Sequence, residues 1–340
     1  MRLARAALFA LALTAGAAAG AAGPASAEPL TIRMSYVVPV SNWATLLMEK
    51  KDLARHLGKS YRLEITRFAG TPPMITALAA GELEIADLTY PTLPIAIANA
   101  GMDDLRIIAD EFQDGNAGYY SNEYFVLADG PVARVEDLKG RVVAVNASGA
   151  AVDVAMRAML RRHGLEIRRD YTLVESPFPT MRAMLAEKKV DLVSLALPFS
   201  LDPELRRIGR PLFDSREAIG VSEFSFFVTR KGFIEKNRAA LTDMLEDSLR
   251  IVHWYLDPAN HKEAMEICAR ITRQPAERFE WAFTNKDNYR DPDMVPDLDA
   301  LQHNVDMTHD LSLVAKTIDV HKYSDLSVVR EAAARLKQEN

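Results

Sequence analysis

Short runs of apolar and β-branched residues alternate along the chain with segments whose apolar positions recur every three or four residues. In the first third of the chain, the short runs predict strands at residues 31–36, 61–68, 83–87 and 105–109. Between them, residues 43–57 and 72–80 have helical spacing, and a Gly-Thr-Pro-Pro turn precedes the second of these helices. Alternating strands and helices are typical of a mainly parallel sheet with crossover helices.

The same alternation is repeated in the middle of the chain. Strands are predicted there at residues 141–145, 172–174 and 190–195, and helices at residues 150–162 and 179–187. Residues 74–85 resemble residues 181–192, because each is a Met/Ala/Leu helix that ends in a polar turn and enters a strand. The rest of the chain is predicted to be almost entirely helical, with helices at residues 238–254, 262–271, 275–283, 297–306 and 327–337.

Two aromatic-rich runs, EYFVLA and EFSFFVT, are separated by roughly one domain length. We interpret them as the strands at which the chain crosses between two lobes. The predicted fold is therefore a bilobal α/β protein with two mixed α/β lobes and a helical C-terminal part. Residues 28–122 and 226–340 form the first, discontinuous lobe, and residues 123–225 form the second.

The N-terminus predicts export. Arg2 and Arg5 precede an apolar run at residues 6–15, and Ala-Ser-Ala at residues 25–27 fits a cleavage site, so residues 1–27 are predicted to be a signal peptide. A transmembrane anchor is the alternative, but the run is shorter than the roughly 20 residues that a span requires. Cys268 is the only cysteine, which excludes an intramolecular disulfide and an acylated cysteine after cleavage. We therefore expect a soluble periplasmic protein and not a lipoprotein.

Composition and motifs exclude several classes of function. The net charge of −6, without a lysine or arginine block, argues against a nucleic-acid partner or stable membrane insertion. None of the seven histidines has metal-ligand spacing, and the chain has no dinucleotide fingerprint, phosphate-binding loop or nucleophile elbow. We expect no metal, no cofactor and no catalytic residues.

Polar side chains follow the predicted strands at the edge where ligands of open parallel sheets collect. The candidate residues there are Ser41, Asn42, Trp43, Gly70, Thr71, Thr89, Tyr90, Asn146, Ser148 and Gly149. Helix capping is the alternative for each of them, since Ser, Thr and Asn cap helices routinely. The loop that carries Pro198 and Phe199 is a fifth and weaker candidate, because Phe199 also fits a core position.

Hydroxyl groups and helix-start N–H groups suit an organic anion such as a sulfonate or carboxylate. No arginine lies in these five loops, so a guanidinium clamp would have to come from elsewhere, for example from Arg33 or Arg182. Aromatic rings such as those of Trp43, Tyr90 and Tyr119 would stack on an aromatic acid, or else pack in the core.

Two segments resemble a known family. FAGTPPMITALAAGELEIAD at residues 68–87, and DLKGRVVAV at residues 137–145 followed by Ser148-Gly149, are similar to segments of periplasmic solute-binding proteins of the nitrate, sulfonate, taurine and thiamine-precursor type. The resemblance implies a type II bilobal fold, a ligand held between the lobes, and delivery to the permease of an ABC importer by a monomer. It implies a pocket built from the strand-end residues named above, with Tyr119 and Glu223 as further candidates near the crossovers.

Two other functions remain open. The same fold serves receptors of TRAP-type transporters and chemosensory binding proteins, and only the partner would distinguish them. A kindred fold also serves an enzyme of thiamine-pyrimidine synthesis, which would need reactive lysine, histidine or cysteine side chains beside the pocket. The predicted leader and the position of Cys268 within a helix argue against the enzyme.

Overall fold

The computed structural model of the protein describes residues 28–339. The signal peptide predicted at residues 1–27 lies outside them and stays a prediction. Within the described part of the chain, no helix combines the length and the apolarity needed to span a bilayer. These residues form two five-stranded sheets with helices packed around them.

The strands are, in chain order, β1 Leu30–Tyr36, β2 Tyr61–Arg67, β3 Ile85–Thr89, β4 Leu105–Asp114, β5 Glu123–Leu127, β6 Val142–Val145, β7 Thr172–Glu175, β8 Leu192–Leu195, β9 Gly209–Asp214 and β10 Ser222–Arg230. The helices are α1 Trp43–Glu49, α2 Pro72–Ala79, α3 Thr92–Pro94, α4 Ala151–Arg162, α5 Phe178–Ala186, α6 Pro203–Ile208, α7 Ser215–Ile219, α8 Lys231–Leu256, α9 His261–Thr272, α10 Leu298–Asp310 and α11 Ser327–Glu339.

The two sheets have the same plan. In the first, the order is β2-β1-β3-β10-β4, with β1 parallel to β2 and β3, and β10 antiparallel to both of its neighbours. In the second, the order is β7-β6-β8-β5-β9, with β6 parallel to β7 and β8, and β5 antiparallel to both of its neighbours. The internal similarity seen in the sequence corresponds to α2–β3 and α5–β8, which occupy equivalent places in the two sheets.

The chain passes between the sheets twice, at residues 115–122 and at residues 220–221. Each aromatic-rich strand follows one of these connections and lies wholly in one sheet, β5 in the second and β10 in the first. The predicted boundary after residue 225 therefore needs correction, because residues 222–225 pair within the first sheet as part of β10. The connections touch at Gly115 and Gly220, both at positive φ, where a Cβ on Gly115 would collide with the carbonyl of Gly220.

The C-terminal helices cover the first sheet. α8 and α11 pack on each other and on β10 and β4, and their side chains, including Leu245 of α8, share a buried cluster with Met34 and Phe227 of the sheet. The predicted helix at residues 275–283 is only the 3₁₀ turn Ala276–Phe279, and the predicted helix at residues 43–57 ends as α1 at Glu49. The C-terminal part is otherwise helical, as the sequence predicts.

Candidate ligand-binding site

The loops that follow β1, β2 and β3 meet the loop that follows β6 and the first turn of α4. A buried cavity of about 50 Å³ lies between them, which leaves room for only a few water-sized groups in this closed arrangement. Its polar lining residues are Ser41, Asn42, Thr71, Asp87, Thr89, Asn122, Asn146, Ser225 and Asn288. Five of these nine are residues that the sequence predicts at strand ends: Ser41, Asn42, Thr71, Thr89 and Asn146.

Asn42 organises the floor of the cavity. Its Oδ1 accepts hydrogen bonds from the backbone N–H groups of Val37 (3.0 Å) and Val38 (2.8 Å), which closes the turn after β1. Its Nδ2 donates to Asp87 Oδ2 at 2.8 Å and to Glu111 Oε2 at 2.6 Å. Every hydrogen-bonding position of this amide is therefore used to hold the loop against β3 and β4.

Asp87 and Glu111 form a buried acid pair beneath the cavity. Both are at most 1% exposed, and Ser225 Oγ contacts both carboxyls, at 2.9 Å from Glu111 Oε2. Glu111 Oε1 also accepts the backbone N–H of Trp43 at 2.7 Å. Burial first, and then the neighbouring Glu111 carboxyl, raise the pKa of Asp87 well above its ordinary value. Asp87 therefore keeps its proton to a higher pH than an exposed carboxyl would.

Threonine hydroxyls line the wall next to this acid pair. Thr71 Oγ1 lies 3.0 Å from Thr89 Oγ1, which in turn lies 3.2 Å from Thr92 Oγ1. Thr92 Oγ1 also accepts the backbone N–H of Thr89 at 2.9 Å, so the turn after β3 is closed by its own hydroxyls. Capping and cavity lining thus occur together at this loop, as the sequence analysis allowed.

Three buried side-chain atoms at the cavity have no hydrogen-bond partner among the described residues: Asn122 Oδ1, Asn146 Oδ1 and Asn288 Nδ2. The orientations of two of these amides follow from their other contacts. Asn122 Nδ2 donates to Asp114 Oδ2 at 2.8 Å, and Asn146 Nδ2 donates across the cleft to the carbonyl of Ala69 at 3.2 Å. Both free Oδ1 atoms are consequently acceptors.

Asn122 and Asn288 were not among the residues predicted from the sequence. Asn122 lies at the end of the first connection between the sheets, directly before β5, and Asn288 lies in the irregular segment between α9 and α10. Neither follows a parallel strand, so the strand-end rule could not find them. The Ser-Asn pair just before the aromatic-rich EYFVLA run was the only local signal for Asn122.

In the loop that follows β6, Asn146 lines the cavity, whereas Ser148 and Gly149 do not. Ser148 is exposed: its N–H donates to Glu175 Oε1 at 2.8 Å, and its Oγ accepts from Arg157 at 2.9 Å. Gly149 adopts a φ of +80° and donates its N–H to Asp153. No side chain caps α4, and its first residues line the cavity, so their backbone N–H groups face it.

Two predicted aromatic residues support the site from behind. Tyr90 is fully buried, and its Oη donates to the carbonyl of Ala151 at 2.7 Å, which links β3 to α4. Trp43 donates its indole N–H to the carbonyl of Glu111 at 3.0 Å and stacks on Phe283 with 5.9 Å between ring centroids. The structure places both rings in the packing around the cavity and not in its lining.

The predicted Gly70 lies at a tight contact between the two halves. A Cβ added to Gly70 would lie 2.7 Å from Ala147 Cβ and 3.1 Å from Asn146 Nδ2. Ser41 Oγ makes a further contact across the cleft, donating to the carbonyl of Leu197 at 3.1 Å. These contacts show that the halves are closed on each other in this structure.

The remaining predicted residues lie elsewhere. Pro198 and Phe199 line an outer groove of about 800 Å³, and Tyr119 lies in a separate surface groove of about 600 Å³. Glu223 is buried against Asp110, and its Oε2 accepts the backbone N–H of Asp297 at 2.8 Å. Burial first, and then the Asp110 carboxyl, raise the pKa of Glu223 well above its ordinary value.

The two arginines considered as anion clamps are engaged outside the cavity. Arg33 pairs with Glu84, with Nε 2.9 Å from Oε2, and Arg182 Nε lies 3.2 Å from Asp202 Oδ2. Among the residues that the structure describes, no lysine or arginine lines the cavity. Arg290 comes near it from behind, where its guanidinium donates to the carbonyl of Ser41 at 2.9 Å.

One group of side chains elsewhere resembles a metal site. His56, Asp243 and Glu246 place ligand atoms within 4.8 Å of one another. The two ring nitrogens of His56 face different carboxylates, Nε2 at 3.2 Å from Glu246 and Nδ1 at 3.8 Å from Asp243. Arg250 and Arg335 already pair with these carboxylates, at 2.8 and 3.1 Å. The arrangement is that of an ion-pair network on α8.

Residues 25–269 match the model of the NMT1-like family. The chain belongs to this family. No curated protein sequence matches the chain. Several solved structures resemble the NMT1-like chain. The alkanesulfonate-binding protein SsuA from Xanthomonas axonopodis pv. citri, bound to MOPS, is 18% identical, with a TM-score of 0.70 over 88% of this chain and 99% of that one.

The periplasmic aliphatic sulphonate binding protein SsuA from Escherichia coli is also 18% identical, with a TM-score of 0.67 over 87% of this chain and 92% of that one. The desulfurization enzyme DszB is 14% identical, with a TM-score of 0.63 over 90% and 99% of the two chains. At these identities the likeness shows the fold, and it confirms the periplasmic-binding-protein fold predicted for this NMT1-like chain.

Proposed function

We propose that this protein binds a small solute between its two halves in the periplasm and delivers it to the permease of an ABC-type importer. The observation that carries the proposal is the enclosed cavity at the strand ends of both sheets, which contains buried polar atoms without partners. Unpaired buried polar atoms are costly, and a bound solute would pair them.

The contacts across the cleft support a closing motion. Ser41 and Asn146 each reach a backbone carbonyl of the other half, and Tyr120 Oη donates to Ser200 Oγ at 2.6 Å. Because the closed cavity has only about 50 Å³, a larger solute would have to enter an open form and be enclosed afterwards. Two structures of similar fold are named as sulfonate-binding proteins, which agrees with such a role.

The class of solute is the finer part of the proposal. The sequence predicts an organic anion, and the uncapped start of α4 at the cavity supports an acceptor atom on the side of the solute that meets this helix. The cavity lining contributes no cationic side chain in the described chain, and it includes Asp87. Helix N–H groups, hydroxyls and asparagine amides would therefore have to bind the solute in place of a cationic side chain.

An enzymatic function has less support. Since DszB shares the fold, the fold alone does not separate a binding protein from an enzyme. Cys268 lies buried in α9, where burial raises the pKa of its thiol to about 12, and no histidine lines the cavity among the described residues. Within the described residues, the cavity thus has no cysteine nucleophile with a histidine base beside it.

A thermal-shift screen of the chain from residue 28 tests the proposal, using sulfonates, carboxylates, nitrate, pyrimidines and carboxamides. A solute that binds only the folded form should raise the Tm by an amount that grows with the logarithm of its concentration above Kd, and calorimetry should confirm one site per chain without turnover. Thr89→Val, which removes a lining hydroxyl, should weaken binding, whereas Ser148→Ala should not.

If no solute raises the Tm, or if Thr89→Val and Ser148→Ala behave alike, this cavity is not the site. Co-purification of the loaded protein with an ATPase–permease complex, compared with a TRAP-type membrane component, identifies the transport partner. Binding to the TRAP-type component alone would replace the ABC assignment with the alternative receptor function.

A further inference from the structure

The unpaired hydrogen-bond acceptors at the cavity indicate which chemical groups a bound solute must carry. Asn122 and Asn146 are 1% and 8% exposed, and the Nδ2 group of each is committed to Asp114 and Ala69 respectively. Both residues line the cavity, and their buried Oδ1 atoms accept nothing from the described protein. An occupant with N–H or O–H donors would satisfy both atoms, whereas an occupant with acceptors only would leave both unpaired.

The cavity also offers donors, although fewer side chains supply them. Asn288, 4% exposed, has an unpartnered Nδ2 at the lining, and the first N–H groups of α4 at Ala151 and Val152 face the same space. These groups favour an acceptor atom and disfavour a positive charge. The occupant should therefore combine donors on one side with an acceptor on another.

The charged groups around the cavity further limit which solutes fit. Asp87 lines the cavity above Glu111, and within the described part of the chain no lysine or arginine lines it. A fully ionised sulfonate, carboxylate or nitrate would find no cationic partner at the cavity and would donate nothing to Asn122 or Asn146. A cationic amidine would suit these acceptors but would face the positive end of α4.

We infer that the cavity recognises the uncharged N–H-bearing edge of a carboxamide, a urea or a related lactam, in preference to an ionised acid of the same shape. The inference rests on the proposed solute-binding function and names the class of solute for the same site. In this reading the amide N–H groups bond to Asn122 and Asn146, and the amide carbonyl accepts from Asn288 or the start of α4.

Matched head groups on one skeleton test the inference. We would measure the affinities of acetamide, acetate and acetamidine, and of benzamide, benzoate and benzamidine, by ligand-observed NMR and calorimetry on the chain from residue 28. In each series we expect the amide to bind at least about tenfold more tightly than the acid, since the acid leaves two acceptors unpaired. We expect the amidine to fall between them.

In an Asn146→Leu variant, the ratio of amide affinity to acid affinity tests the inference, because a merely structural role of Asn146 would not change that ratio. It should weaken amide binding about tenfold more than acid binding, because the lost bond to the Ala69 carbonyl affects both solutes whereas only the amide uses the lost acceptor. Ser148→Ala, on the same loop but turned away from the cavity, is the matched control. Equal losses for amide and acid in Asn146→Leu would overturn the inference.

The two proposals fail in different ways. If the carboxylate binds more tightly than the amide, or if the screen identifies a solute without N–H or O–H donors, the recognition inference is wrong and the binding function stands. If no solute of any class binds, the proposed function itself is wrong. The comparison of head groups uses the unaltered protein, so it does not depend on the folding of a variant.

Discussion

Gly70 offers a direct test of closure because it lies at a tight contact between the two halves. In Gly70→Ala the new Cβ would be 2.7 Å from Ala147 Cβ, whereas carbon atoms normally approach to about 3.5–4.0 Å. The halves would have to separate locally by roughly 1 Å, and overpacking of this size typically costs about 1–3 kcal/mol. Since Gly70 has no positive φ, the cost falls on the closed form and not on the backbone.

If the solute is held only in the closed form, that cost appears as a loss of affinity of about 5- to 150-fold. Calorimetry with the solute found in the screen measures the loss, and small-angle scattering reports whether the loaded variant is as compact as the wild type. Gly232→Ala is the matched control, because nothing lies within 4 Å of a Cβ there. An affinity within about twofold of wild type in Gly70→Ala would refute the reasoning.

Three further predictions concern buried groups. Burial raises the pKa of Asp110, beside Glu223, to about 7. Between pH 3.8 and about 7 the folded chain therefore binds more protons than the unfolded chain. The free energy of unfolding consequently falls as the pH rises through that window. Asp110→Asn should therefore gain stability relative to wild type between pH 4 and pH 8 in denaturant titrations, and a pH-independent difference would contradict this. Tyr90→Phe removes the hydrogen bond to the Ala151 carbonyl and should weaken solute affinity about fivefold by calorimetry, with unchanged affinity as the contrary result. Cys268 should react with a thiol reagent only in denaturant, and rapid labelling of the native protein would contradict its burial.

The alternation of strands and helices was sufficient to predict the α/β class, the internal similarity and the loops that form the site. These signals are local, since a strand end and a helix start are recognisable within a few residues. The sheet to which β10 belongs could not be predicted completely from the sequence. Residues 222–225 pair with β3 and β4, which are more than a hundred positions away along the chain, and no local pattern specifies that pairing.

Within the predicted loops, the sequence could not tell which side chain faces the cavity. Thr89 lines it while Tyr90 points to the carbonyl of Ala151, and Asn146 lines it while Ser148 turns to Arg157. The direction of each side chain depends on the pairing of its strand and on the half that packs opposite. From the sequence alone, neighbouring residues of similar polarity were therefore equally good candidates for the cavity lining. Only the tertiary structure distinguishes them.

The contact between Gly115 and Gly220 has a consequence for the motion of the molecule. Because the two connections touch backbone against backbone at Gly115 and Gly220, we expect both to turn about nearly the same line when the halves separate. Opening would then have one principal degree of freedom, a rotation about that line. A single pair of spectroscopic labels, one on each half, should therefore follow the whole of the motion, and a second pair placed elsewhere should change distance in strict proportion to the first.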